Sequence, residues 1–132
     1  MTDQSSLDAR ILDDVADALI YADRSGTITR WNRGSTALFG FSAEEARGQS
    51  LDLIIPEHLR AAHWKGFGTA LESGTMKLKG RPTLTRAQHK DGRKLYIEMT
   101  FALVRDEGGN VLGSAAMARD VTERVMRERG KA

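Results

Sequence analysis

The chain has 132 residues, is 40% hydrophobic and 29% charged, carries a formal net charge of +2 and contains no cysteine. That length and balance fit one globular domain with a core of its own rather than a disordered chain. The missing cysteines exclude disulfides, thiolate metal sites, cysteine nucleophiles and flavin–thiol photochemistry. Aromatics make up 6% with no basic stripe among them, which argues against nucleic-acid binding. No apolar run reaches the length of a membrane span, and Met1 to Leu7 lacks the basic-then-apolar order of a signal peptide, so the expected location is cytoplasmic with no membrane partner.

Residues 5–17 read as a helix. Leu7, Ile11, Val15 and Leu19 recur at spacing four, and Ser5 or Ser6 can cap it. A helix this short at a terminus persists only if it docks. The period then changes. Ala18 to Ala22 is a short apolar run closed by the turn-forming Asp23-Arg24-Ser25-Gly26, and the β-branched and aromatic stretch Thr27 to Trp31 completes a hairpin. Asn32 is placed to cap a helix towards Leu38 that stops at Gly40. Ser42 with Glu45 three residues on forms a capping box for a second short helix ended by Gly48. Leu53-Ile54-Ile55-Pro56 leads into a longer helix from about Glu57 to Glu72, stopped at Ser73-Gly74.

The remainder reads as β. Thr75 to His89 is one strand or two, interrupted near Gly80 and Pro82. Lys90-Asp91-Gly92-Arg93 is a hairpin turn. Leu95, Ile97, Met99, Phe101 and Leu103 alternate without a break. Asp106 to Asn110 turns into a last strand, Val111 to Arg119, and Asp120 caps a short charged helix. The order of elements predicts an α+β domain, an antiparallel sheet with its helices grouped between the second and third strands. The chain divides into a flanking helix over 1–17, a core over 18–120 and a helical tail over 121–132. Val121, Val125 and Met126 begin a coiled-coil seam in the tail that Gly130 and the end of the sequence cut short.

Four stretches in order resemble the PAS sensor-domain family: Asp23 to Ile28, Trp31-Asn32 with Leu38-Phe39-Gly40-Phe41 and Glu45, Lys90 to Arg93, and Arg119-Asp120-Val121-Thr122-Glu123. The resemblance runs from about Ile11 to Glu123. It implies a five-stranded antiparallel sheet in the order 2-1-5-4-3 with helices on one face. It also implies a sensory or dimerisation module that acts on a signalling effector and is not itself an enzyme. The missing cysteines remove the family's light-sensing branch.

His63 is the candidate that matters most. Leu59, His63, Phe67 and Ala70 share one face of the predicted helix. An imidazole in an apolar stripe needs a partner. Two readings follow: a core-edge histidine bonded to a carbonyl, or an axial ligand to haem iron, which needs one neutral imidazole aimed into an apolar cavity. Ile55 to His63 resembles the segment that carries the proximal ligand in haem-binding PAS domains of oxygen-sensing histidine kinases and haem phosphodiesterases. That resemblance implies haem b with His63 on the iron. Gly80-Arg81 resembles the position where oxygen-sensing kinases place a distal arginine, although strict alternation puts Arg81 opposite Leu78, as a solvated strand residue, unless Gly80 bulges. Met99, Phe101 and Met117 are expected to line the inner face of the sheet, with Ala115, Ala116 and Ala118 leaving room beside them.

His58 and His89 read as surface residues without metal-ligand spacing to His63. Asp13-Asp14 and Glu44-Glu45 are neighbours in sequence that point apart on helices, so neither is an acid–base dyad. Two functions remain in view. One is a haem-based gas or redox sensor. The other is a cofactor-free or small-ligand module that forms a homodimer through the N-terminal helix and the outer sheet face.

Overall fold

A computed structural model of the chain describes residues 4–75 and 81–130. The elements are α1 (Gln4–Asp14), β1 (Ala18–Asp23), β2 (Ile28–Trp31), α2 (Arg33–Phe39), α3 (Ala43–Ala46), two 3-10 turns (Leu51–Ile54 and Glu57–Leu59), α4 (Arg60–Ser73), β3 (Thr83–Gln88), β4 (Lys94–Arg105), β5 (Val111–Asp120) and α5 (Thr122–Gly130). The five strands form one antiparallel sheet in the order β2-β1-β5-β4-β3. The expected fold class, strand order and flanking helix are all present. The expected interruption near Gly80 lies outside the described residues, and β3 begins just after Pro82.

Alternation sets the two faces of the sheet. Ala18, Ile20 and Ala22 on β1, Leu95, Ile97 and Met99 on β4, Ala87 on β3 and Ala118 on β5 are all buried on one side. Phe39, Ala46 and Ile54 from the connecting helices and turn close that side, with Leu38, Phe41, Leu51 and Leu53 packed around them. The centre is aromatic: Trp31 and Phe39 are tilted at 5.5 Å, and the Trp31 indole donates to the Phe41 carbonyl at 3.0 Å. Burying that N–H with a partner avoids the cost of an orphaned donor.

The helix ends follow their capping residues. Asn32 Oδ1 accepts from the Ser35 amide at 2.9 Å at the start of α2. The reciprocal Ser42–Glu45 capping box is formed, at 2.8 and 3.1 Å. Gly40 ends α2 at φ +87, in the left-handed region that glycine enters at little cost. It also leaves space for the His89 ring, since a Cβ at Gly40 would lie 2.4 Å from His89 Cε1.

That contact corrects the reading of His89 as a surface residue. The β3–β4 hairpin folds back onto the end of α2, where the Lys90 amide donates to the Phe39 carbonyl at 2.8 Å and Lys90 Nζ reaches Glu45 at 2.6 Å. The His89 side chain is left 14% exposed.

A candidate ligand site around His63

The helix carrying His63 differs from its neighbours. No residue of α4 is fully buried, and none joins the core cluster. Its first turn has no side-chain cap. Arg60 ties it down instead, donating to the carbonyls of Ile55 (3.0 Å) and Asp52 (3.3 Å). Trp64 Nε1 donates to Asp52 Oδ1 at 2.7 Å. The Trp64 ring lies over the β1–β2 turn, where Gly26 has φ +81 and a Cβ would fall 2.2 Å from the indole. Asp52 and Gly26 together fix where the start of α4 sits.

On this mount one face of the helix forms an aromatic cluster. The His63 ring meets Trp64 edge-on at 4.7 Å and Phe67 at 5.8 Å, and Trp64 meets Phe67 at 5.4 Å. Leu59, Ala70 and Leu71 are half-buried with them. Within this cluster His63 Nδ1 is buried and has no hydrogen-bond partner among the described residues. A buried nitrogen left unpaired costs about 1–3 kcal/mol. Desolvation by burial lowers the His63 pKa below its ordinary 6.5, and the Asp52 carboxylate only partly opposes this. The imidazole is therefore neutral at physiological pH and is a competent metal donor.

A pH dependence follows, and its sign is fixed. The unfolded chain binds a proton at His63 near pH 6.5, whereas the folded chain resists it to lower pH. His63 thus makes stability fall as pH drops below about 6.5 towards the folded-state value. Urea titrations from pH 7.5 to 5 should show that decline, and His63→Gln should flatten it. An unchanged acid limb in His63→Gln would show that the imidazole is not held neutral.

The other expected site residues separate into two groups. Met99 is buried opposite Ala118, and Phe101 is half-buried opposite Ala116, so both face the inner side over small residues as expected. Met117 does not. Its strand partners are Leu19 and Thr100, and it is 38% exposed on the outer face. The register that turns Ala116 and Ala118 inward necessarily turns Met117 and Ala115 outward, because a strand alternates at every residue. Arg81 is exposed in the two residues that lead into β3. No ring contact joins His63 to Phe101 among the described residues.

Sequence reasoning passed over two residues that build the site, Asp52 and Trp64. Trp64 adjoins the apolar stripe, which was the available signal. Its bond to a carboxylate 12 residues earlier depends on the turn between them.

The chain belongs to the PAS family: the family model, described as the PAS fold, matches residues 6–121. Among solved structures, a PAS domain from Colwellia psychrerythraea is 29% identical, superposes with a TM-score of 0.79 and covers 92% of this chain and 100% of its own. An uncharacterized protein of Azorhizobium caulinodans is 33% identical over 120 residues, 90% of this chain and 16% of that protein. The oxygen sensor protein DosP of Escherichia coli is 30% identical over 78 residues, 59% of this chain and 10% of that protein. The chain therefore spans a small fraction of the length of these curated relatives. It is a sensory PAS module of the kind found in signalling proteins. No helix among the described residues is long and apolar enough to cross a membrane.

Proposed function

We propose that this PAS module is a haem-based gas or redox sensor with His63 as the axial ligand. The observation that supports it is the His63 imidazole on a half-buried aromatic helix face, kept neutral by burial, with Nδ1 enclosed and without a partner among the described residues and Nε2 left to ligate. These features fit a haem-ligating histidine. Met99 and Phe101, inward over Ala118 and Ala116, supply an apolar wall. We assign no ligand contact to Arg81, which is exposed. Haem held by His63 would supply a redox-active iron that takes gas ligands, the chemistry that gas and redox sensing use. His63 would hold the group, and Met99 and Phe101 would keep water from it.

The sheet carries the response outward. Met99 and Phe101 share β4 with Tyr96, whose amide donates to Thr122 Oγ1 at 2.9 Å and whose carbonyl accepts from the Val121 amide at 2.9 Å. The guanidinium of Arg129 lies 4.9 Å from the Tyr96 ring centre. A displacement of β4 therefore reaches α5, the element that would face an effector.

The second reading is a cofactor-free homodimerisation module. It is favoured by the exposed Leu7 and Ile11 on α1 and by Leu84 and Met117 on the outer sheet face.

Reconstitution with haem separates the two. The first reading expects a Soret band at one haem per chain, lost in His63→Ala, with circular dichroism showing that the variant is folded. Stoichiometric haem retained by His63→Ala overturns His63 as the ligand. A wild-type chain without a Soret band overturns the haem reading and leaves the dimerisation module.

A further inference from the structure

A concavity lies away from His63, beside α1. It is a cavity of about 560 Å³ between α1, β2 and the start of α2. Four arginines from separate places line it: Arg10 on α1, Arg30 on β2, Arg33 at the start of α2 and Arg47 just after α3. Asp13 and Asp14 also line it, and both carboxylates lie against Arg33, at 2.9 and 3.6 Å. Among the described residues no carboxylate forms an ion pair with the other three arginines. Arg30 Nη1 donates to the neutral Thr29 carbonyl (3.0 Å) and Arg47 Nε to the Ala43 carbonyl (3.4 Å), while Arg10 is exposed. Leu12 and Leu19 give the same cavity an apolar side.

Like charges gathered around one concavity repel one another, and the repulsion is relieved when an anion enters. Guanidinium groups suit phosphate in particular, because their planar forks donate two parallel hydrogen bonds to its oxygens. The volume is far more than a single phosphate needs and falls within the range of about 300–1,000 Å³ usual for small-molecule sites. An apolar side beside a cationic one matches a ligand with an unsaturated ring at one end and phosphate at the other.

We propose that this groove is a second ligand site that takes a phosphate ester of nucleotide size. The phosphate lies against Arg10, Arg30 and Arg47, and the ring lies against Leu12 and Leu19. Because Arg10 belongs to α1 and Arg30 and Arg47 to the core, the ligand ties the flanking helix to the domain. Binding therefore slows amide exchange in α1. This site does not depend on haem and stands whether or not His63 ligates iron.

The test uses the full chain with AMP, ATP and inorganic pyrophosphate as probes, by calorimetry at about 0.15 M salt, where diffuse attraction is screened. The expected result is saturable binding of AMP or ATP, weakened about tenfold or more in Arg30→Gln/Arg47→Gln, as loss of charge-assisted bonds to phosphate requires. Both arginines are exposed, so the variant should keep the wild-type melting temperature. Hydrogen exchange should show α1 protected by the nucleotide in the wild-type chain only. No saturable binding of either nucleotide up to about 5 mM overturns the site, as does undiminished binding by the folded variant. Pyrophosphate binding as tightly as ATP overturns the role of the apolar side.

Discussion

Replacing Asn32 with alanine is expected to lower the unfolding free energy by about 3–5 kcal/mol, among the largest effects available at a single polar residue here. Asn32 is 4% exposed. Its Oδ1 accepts from the Leu19 amide (2.8 Å), the Ser35 amide (2.9 Å) and Ser35 Oγ (3.0 Å). Its Nδ2 donates to the carbonyls of Leu12 (2.9 Å) and Asp17 (3.0 Å), with Val15 O at 3.4 Å. One side chain therefore caps α2, holds the start of β1 and satisfies carbonyls in the last turn of α1 and in the segment after it. Alanine removes the cap, at about 1–2 kcal/mol, and strands several buried groups at about 1–3 kcal/mol each, with incomplete additivity because they share one site. Asn32→Asp separates the roles. The carboxylate still accepts at the cap, but it faces the α1 carbonyls with no donor. In that variant, α1 amides should exchange freely while those of β4 stay protected. Urea unfolding that shows less than about 1 kcal/mol of loss in Asn32→Ala would refute this role.

The second large effect lies in the core. Phe39 is fully buried beside Trp31 and Ile28. Phe39→Ala should cost about 3–5 kcal/mol, the usual range for deleting a buried ring, and Phe39→Leu much less, about 1 kcal/mol. Chemical denaturation should show the midpoint moving with an unchanged slope. Since α4 contributes nothing to this cluster, Phe39→Ala should leave any His63-dependent Soret band in place under folding conditions. Loss of the band together with the core would show that the aromatic cluster of α4 and the core are one unit.

Both residues were legible in the sequence, for different reasons. Asn32 was readable as a cap because a cap is a local device, a short polar side chain followed three residues on by the amide it accepts from. Its hold on α1 was not, because the carbonyls of Leu12 and Asp17 are 20 and 15 residues away along the chain. Phe39 was recognisable as part of a family motif, and its burial follows from the helix that Asn32 starts and Gly40 ends.

The strands divide in the same way. β4 alternates apolar with polar residues, so its inward face could be read directly: Leu95, Ile97 and Met99 are buried. β5 reads Gly113-Ser114-Ala115-Ala116-Met117-Ala118, where small residues carry no alternation. The phase of β5 was therefore open, and Met117 was expected on the wrong face. Pairing decided it, since Met99 opposite Ala118 and Phe101 opposite Ala116 leave Met117 opposite Thr100. His89 was misread for a related reason. Its neighbours Gln88, Lys90 and Asp91 are polar, and only the return of the hairpin onto Gly40 covers the ring.

The sequence by itself determined what depends on near neighbours: the helix caps, the hairpin turns, the alternating strand, the order of elements and, through them, the PAS fold. It also determined that one histidine sits on an apolar helix face. The tertiary structure decided what depends on distant partners. It left His63 Nδ1 buried and without a partner among the described residues, fastened α4 through Asp52 and Trp64, sent Met117 outward, and brought arginines from four parts of the chain around one groove. The physical reason is range. Backbone preference and capping act within about one turn of chain, whereas burial and the summing of charge depend on which segments the fold brings together.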